Sequence, residues 1–106
     1  MSAALPFPLD LDAVAALCRR FHVRRLDVFG SAVAGDFDPE RSDLDLLVEF
    51  EDVPEARTWG NYRGLMTGFE DLAGRKVDVV EEGAIRNPFV LREVERQRRP
   101  LWRADA

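Results

Sequence analysis

The sequence predicts an α+β fold, a small mixed β-sheet packed by helices on one main face. Three observations carry this. Segments with helical apolar spacing alternate with segments of two-residue alternation, and neither a repeat nor a linker interrupts them. The apolar fraction of 46% can build a core, and the charged fraction of 33% argues against disorder. A length of 106 residues suits one compact domain, 1–106.

Asp10 or Asp12 can cap a first helix running to about Phe21, with Val14, Leu17, Cys18 and Phe21 on one buried face. Cys18 is the only cysteine, so an intrachain disulfide is excluded and it reads as a small buried hydrophobe. Val23-Arg24-Arg25-Leu26-Asp27-Val28-Phe29 reads as a strand with Leu26 and Val28 on one face. It stops at Gly30, where a backbone can turn sharply and approach a ligand. Ser31 to Ala34 is a short helical turn, followed by a polar loop.

A second strand starts at Asp43. Leu44, Leu46, Val48 and Phe50 share one face of it; Asp43, Asp45, Leu47 and Glu49 share the other. A helix over about Thr58 to Ala73 aligns Trp59, Tyr62, Leu65 or Met66, Phe69 and Leu72, with Gly74 placed to end it. Gly60, Gly64 and Gly68 weaken its intrinsic propensity, so packing has to support it. The third strand is Arg75 to Glu82. Asn87 and Pro88 then supply an N-cap and first-turn pair for a last helix through about Arg98, stopped by Pro100, with Val90, Leu91 and Val94 as its inner face.

The formal charge of −5 argues against nucleic acid as a main partner. The charge is uneven. Acids crowd the middle of the chain, whereas Arg92, Arg96, Arg98, Arg99 and Arg103 crowd its end. An acidic pocket with a separate basic helix suits metal binding and a protein partner, although an arginine-rich helix is also an ordinary solvated face. The chain has no apolar run of membrane-spanning length and no secretory leader pattern, so a cytoplasmic location is expected.

The functional signal is concentrated between Gly30 and Phe50. A Gly30-Ser31 turn follows one strand, and Asp43 and Asp45 stand two apart at the start of the next, with Ser42 just before them. Side chains two apart on a strand face the same way, roughly 6–7 Å apart, so the two carboxylates can share divalent cations. Asp78 lies between Val77 and Val79 in the third strand. A carboxylate there is either exposed on an edge strand or converges with Asp43 and Asp45 around cations, because an unpaired buried charge is costly. His22, the sole histidine, precedes the first strand and is not required as a base.

Together, Phe29-Gly30-Ser31, the run from Ser42 to Phe50, Lys76 to Val80, and the closing stretch from Arg86 to Trp102 resemble the minimal nucleotidyltransferases of the DNA polymerase β superfamily. The resemblance covers nearly the whole chain, and the spacing from Gly-Ser to Asp-x-Asp makes it specific. It implies the polymerase-β-like nucleotidyltransferase fold. It also implies that Gly30 and Ser31, with Ser42 among the cofactor-binding residues, hold the phosphates of ATP. Asp43, Asp45 and Asp78 would hold two Mg²⁺ ions, and Asp78 would accept the proton of the attacking group. Three clustered carboxylates repel one another without cations, so raised pKa values are expected among them.

Two departures stand out. Ala34 occupies the place of an arginine common in this turn, and the loop to Asp43 is one residue longer than the usual spacing. Both bear on a phosphate contact or the rate rather than on the metal site. A domain of this size resembles the antitoxin half of toxin–antitoxin pairs, whose partner is a HEPN-domain toxin that receives AMP on a tyrosine. The expected function is therefore ATP-dependent adenylylation of a partner protein. The alternatives are a non-catalytic binding antitoxin and an enzyme modifying a small molecule such as an antibiotic. A homo- or hetero-oligomer is compatible with either role. Trp102, beyond Pro100, is expected either to cap the core or to be left exposed as a docking residue.

Overall fold

The computed structural model describes residues 9–35, 38 and 40–104. Its elements are α1 (Leu11–Arg20), β1 (Val23–Phe29), α2 (Ser31–Ala34), β2 (Leu44–Phe50), α3 (Trp59–Ala73), β3 (Val77–Glu81), α4 (Pro88–Gln97) and β4 (Arg99–Arg103), with 3₁₀ turns at Pro54–Arg57 and Glu82–Ala84. The sheet order is β3-β2-β1-β4. β1 is antiparallel to both β2 and β4, whereas β2 and β3 run parallel. The sheet is therefore mixed, as expected. The lead-in at 1–8 and the loop residues 36, 37 and 39 lie outside the described residues, and with them part of the lengthened loop.

Local chemistry sets the helix ends. The Asp10 carboxylate accepts from the backbone N–H groups of Asp12 and Ala13, and Asn87 does the same for Phe89 and Val90. Thr58 caps α3 through Asn61 N–H, and Gly74 closes it in the left-handed conformation. α1 and α3 lie on one face of the sheet. Val14, Cys18, Leu65 and Phe69 from these helices meet Leu26, Val28, Leu44, Leu46, Val48, Val77 and Val79 in the main core. Burial raises the Cys18 thiol to about 12, which makes it an inert hydrophobe. Two of the α3 glycines have a packing reason. A Cβ on Gly64 would lie 2.4 Å from the Phe21 ring, and one on Gly68 would lie 2.6 Å from Leu17. These glycines let α1 and α3 approach closely, and that contact compensates their poor helix propensity.

Three expectations need correction. The sequence predicts no strand after the last helix; instead β4 adds an edge strand in which Pro100 is tolerated because an edge leaves one row of donors unused. Trp59 was placed on the buried stripe of α3, yet it is 69% exposed and stacks on Tyr62 with ring centroids 5.4 Å apart. It occupies the first helical position, where the stripe has run past the sheet. Of the expected inner face of α4, only Val94 is buried, whereas Val90 and Leu91 are exposed and Phe89 is 75% exposed. α4 is seated by its C-terminal end rather than along its length. Trp102 is half-buried against the main core, with the Arg19 guanidinium 6.0 Å from the ring centroid, so it caps the domain's own core.

Candidate active site

Strand directions bring the candidate residues to one end of the sheet. β1 runs towards this end while β2 and β3 leave from it. Phe29 is thereby the register partner of Asp45, and Asp45 is the register partner of Asp78. Asp43 precedes β2 by one residue, on the same side as Asp45. Adjacent strands lie about 4.8 Å apart, so the backbones carrying Asp45 and Asp78 are immediate neighbours.

Gly30 turns the chain at this end with φ 75° and ψ −148°, a region closed to residues with a side chain. A Cβ there would stand 2.2 Å from Asp45 Oδ2. The glycine is required twice, once by the backbone and once by the carboxylate pressed against it. The turn and Asp45 form one rigid unit.

The electrostatics follow from that closeness. Burial, followed by the charges of Asp78 and Asp43, raises the Asp45 carboxyl to about 6. Asp78 itself is exposed, on edge strand β3. Among the described residues no group of three His, Cys, Asp or Glu side chains already forms a cation cage. Three like charges have no reason to close without a counterion. The donor set of hard carboxylate oxygens nevertheless fits a hard divalent cation such as Mg²⁺, whose charge would offset the burial and repulsion that raise Asp45.

A pH prediction follows. The folded-state pKa of Asp45 is raised, so the metal-free fold binds more protons there than the unfolded chain and loses stability as pH rises from about 4 through 6. Asp45→Asn removes this loss. Melting curves in chelator from pH 4 to 7.5 should show Asp45→Asn gaining on the parent as pH rises, with Mg²⁺ narrowing the gap. A pH-independent difference between the two would disprove the coupling.

The other candidates are placed as follows. Ser31 is half-buried and begins α2 beside Gly30. The Ser42 hydroxyl accepts from Asp38 N–H at 2.8 Å, which ties down the loop entering β2. The Gly30 N–H donates to Gln97 Oε1 at 3.2 Å, so α4 reaches the turn. The side chain of Ala34 lies outside the described residues. His22 sits at the opposite end of β1, its ring 4.0 Å from Glu51.

The sequence reading missed Asp27. It is fully buried in central strand β1 on the face opposite the main core, and it pairs with Arg98, with Arg103 at 2.7 Å and with Arg25 at 3.4 Å. Arg98 also pairs with Glu82, and with Glu95 at 2.6 Å. Burial works to lower the Arg98 pKa, but hydrogen bonds to Glu82, Asp27 and Glu95 outweigh it and hold the guanidinium above its ordinary value.

Residues 12–101 match the family model described as nucleotidyltransferase domain. The protein adenylyltransferase MntA of Thermococcus cleftensis is 40% identical over 81 residues, which cover 74% of this chain and 78% of that protein. A solved structure assigned to the minimal nucleotidyltransferases superposes with a TM-score of 0.70 at 40% identity, over 86% of this chain and 88% of that one. A chain of the complex between tri-AMPylated Shewanella oneidensis HEPN toxin and MNT antitoxin shares the fold, with a TM-score of 0.61 at 18% identity over 89% of this chain and 70% of that one.

Proposed function

The chain belongs to the nucleotidyltransferase domain family, and from that premise we propose that it transfers AMP from ATP to a hydroxyl of a partner protein, a HEPN-domain toxin, as the antitoxin of a toxin–antitoxin pair. The observation that carries this reading is the single unit made by the Gly30 turn, Asp45 pressed against it, and Asp78 in register beside Asp45. The relatives support the rest: a protein adenylyltransferase at 40% identity, and a fold shared with a complex whose HEPN toxin carries AMP. Residues 1–106 act in this reading as one domain working in the cytoplasm; among the described residues no helix is long and apolar enough to cross a membrane.

Asp43, Asp45 and Asp78 would hold two Mg²⁺ ions, which when bound stabilise the entering and leaving oxygens at phosphorus. Ser31 would donate its hydroxyl to a phosphate oxygen, with Gly30 shaping the turn and Ser42 fixing the loop that delivers Asp43. The acceptor hydroxyl oxygen bonds to the α-phosphorus while the bond to pyrophosphate breaks. Asp78, the most exposed of the three acids, would take the hydroxyl proton and pass it to water. Asp45 holds the turn and the carboxylate cluster in one geometry.

The deciding experiment incubates the protein and the neighbouring gene product with Mg²⁺ and ATP and measures intact mass. One or more AMP increments on the partner support the reading. Stable complex formation without any increment would instead favour the binding antitoxin, which the alanine at position 34 keeps in view. Ser31→Ala should lower kcat/KM roughly ten- to a hundredfold with the fold intact, since a hydrogen bond to a charged group contributes about 1.5–3 kcal/mol. An unchanged rate would assign Ser31 to turn structure alone.

A further inference from the structure

We propose that Gln97 is a positioning residue for the Gly30 turn and, through it, for Asp45, and that the buried Asp27–Arg98 pair serves to seat Gln97 there. The contact is specific. Gln97 Oε1 accepts from Gly30 N–H at 3.2 Å, 67 residues away in sequence, and a backbone N–H can face only the oxygen of that amide. Gly30 has no slack, because its Cα carries its hydrogens directly against the Asp45 carboxylate. A turn that drifted by a few tenths of an ångström would carry Asp45, a candidate metal ligand, with it.

Gln97 Nε2 donates to Glu93 Oε1 at 3.4 Å within α4, and the helix end that carries Gln97 is held to the sheet by its neighbour. The Arg98 side chain is 9% exposed and pairs with Asp27, which is fully buried three residues before Gly30 on the same strand. Apolar packing does little of this work, since Val94 is the one residue of α4 that is buried. A buried ion pair is a weak way to gain stability and a good way to fix one arrangement among several. Here the arrangement fixed is the end of α4 against the catalytic turn. Glu82, in the turn after β3, joins Arg98 and links the strand of Asp78 to the same clamp.

The proposal rests on the nucleotidyltransfer reading of the Asp45 site, and the test separates the two. Three quantities are compared in the parent, Gln97→Leu and Gln97→Glu: the Mg²⁺ concentration for half-maximal AMP transfer, the thermal shift given by Mg²⁺ and ATP, and hydrogen exchange of the Gly30 amide. Gln97→Leu should raise the Mg²⁺ requirement about three- to tenfold, the range expected for one net hydrogen bond, and speed Gly30 exchange by a similar factor. Its kcat at saturating Mg²⁺ should be nearly that of the parent. Gln97→Glu keeps the acceptor oxygen and should restore Gly30 protection and a Mg²⁺ requirement no higher than the parent's. Asp27→Asn should raise the requirement too, and add nothing in the Gln97→Leu background, because both act through one contact.

An unchanged Mg²⁺ requirement with unchanged Gly30 exchange would overturn the proposal. So would tighter binding of Mg²⁺ and ATP by Gln97→Leu, which would make Gln97 a placeholder that nucleotide displaces. Additive effects of Asp27→Asn and Gln97→Leu would overturn the role of the clamp. A parent that neither transfers AMP nor is stabilised by Mg²⁺ and ATP would sink the functional reading, while the exchange measurement would still decide the turn contact.

Discussion

On the proposed function, Asp43→Asn should leave a folded, partner-binding protein that transfers AMP at least about a thousandfold more slowly, because metal ions contribute several kcal/mol of charge stabilisation in such a reaction and each 1.36 kcal/mol is tenfold in rate. The substitution keeps the shape of the side chain and removes one negative charge from a cluster of three. Asp43 is the better test because Asp45, not Asp43, is the carboxylate pressed against Gly30. An amide at Asp45 would change the turn and the charge together. The decisive readout is the mass of the partner after incubation, alongside complex formation by size exclusion. Transfer at parental rate by Asp43→Asn would remove the two-metal mechanism. Complex formation by a variant that cannot transfer would show how much of the antitoxin effect is contact alone.

The legible part of this molecule is the part where local pattern and tertiary role agree. Asp-x-Asp at a strand start, after a Gly-Ser turn, implies two carboxylates on one side, and strand direction then brings them to the turn. Asp27 shows where such reading stops. Leu26-Asp27-Val28 and Val77-Asp78-Val79 have the same local form, and in both a carboxylate between apolar neighbours must be exposed or paired. They differ only in sheet position. β3 is an edge strand and Asp78 is exposed; β1 is central, and Asp27 is fully buried.

That difference depended on β4, which sequence hides. Pro100 reads as the stop of the last helix and the arginines around it as a basic stretch, and only pairing with β1 makes Arg99–Arg103 a strand. With β4 unseen, Arg98 and Arg103 counted as part of a basic surface rather than as partners of a buried acid. The exposure of Val90 and Leu91 was illegible for the same reason. Their spacing with Val94 fits a buried stripe, but α4 is docked by charge at one end. The Asp45 pKa was legible in direction, since repulsion within the cluster was predictable, but burial, its largest cause, was not.

Asp27→Ala should cost about 3 kcal/mol of stability, at the lower end of the 3–5 kcal/mol expected when one member of a buried ion pair is removed. The lower end applies because Arg98 keeps Glu82 and Glu95, so its charge is not left bare. A loss of that size corresponds to a fall in Tm of roughly 15 °C for a domain near 100 residues. The fall should persist at high salt, since the pair is shielded from solvent ions. Asp27→Val combined with Arg98→Met should recover most of the stability, as apolar replacement of buried pairs often does. If the clamp serves position rather than stability, that double variant will melt like the parent yet keep a raised Mg²⁺ requirement. Denaturant and thermal melts of the three proteins, beside their Mg²⁺ titrations, make the comparison. A double variant normal in both would mean that Asp27 and Arg98 only fill space between β1 and α4, whereas recovery of stability alone would identify a buried charge retained for the geometry of the turn.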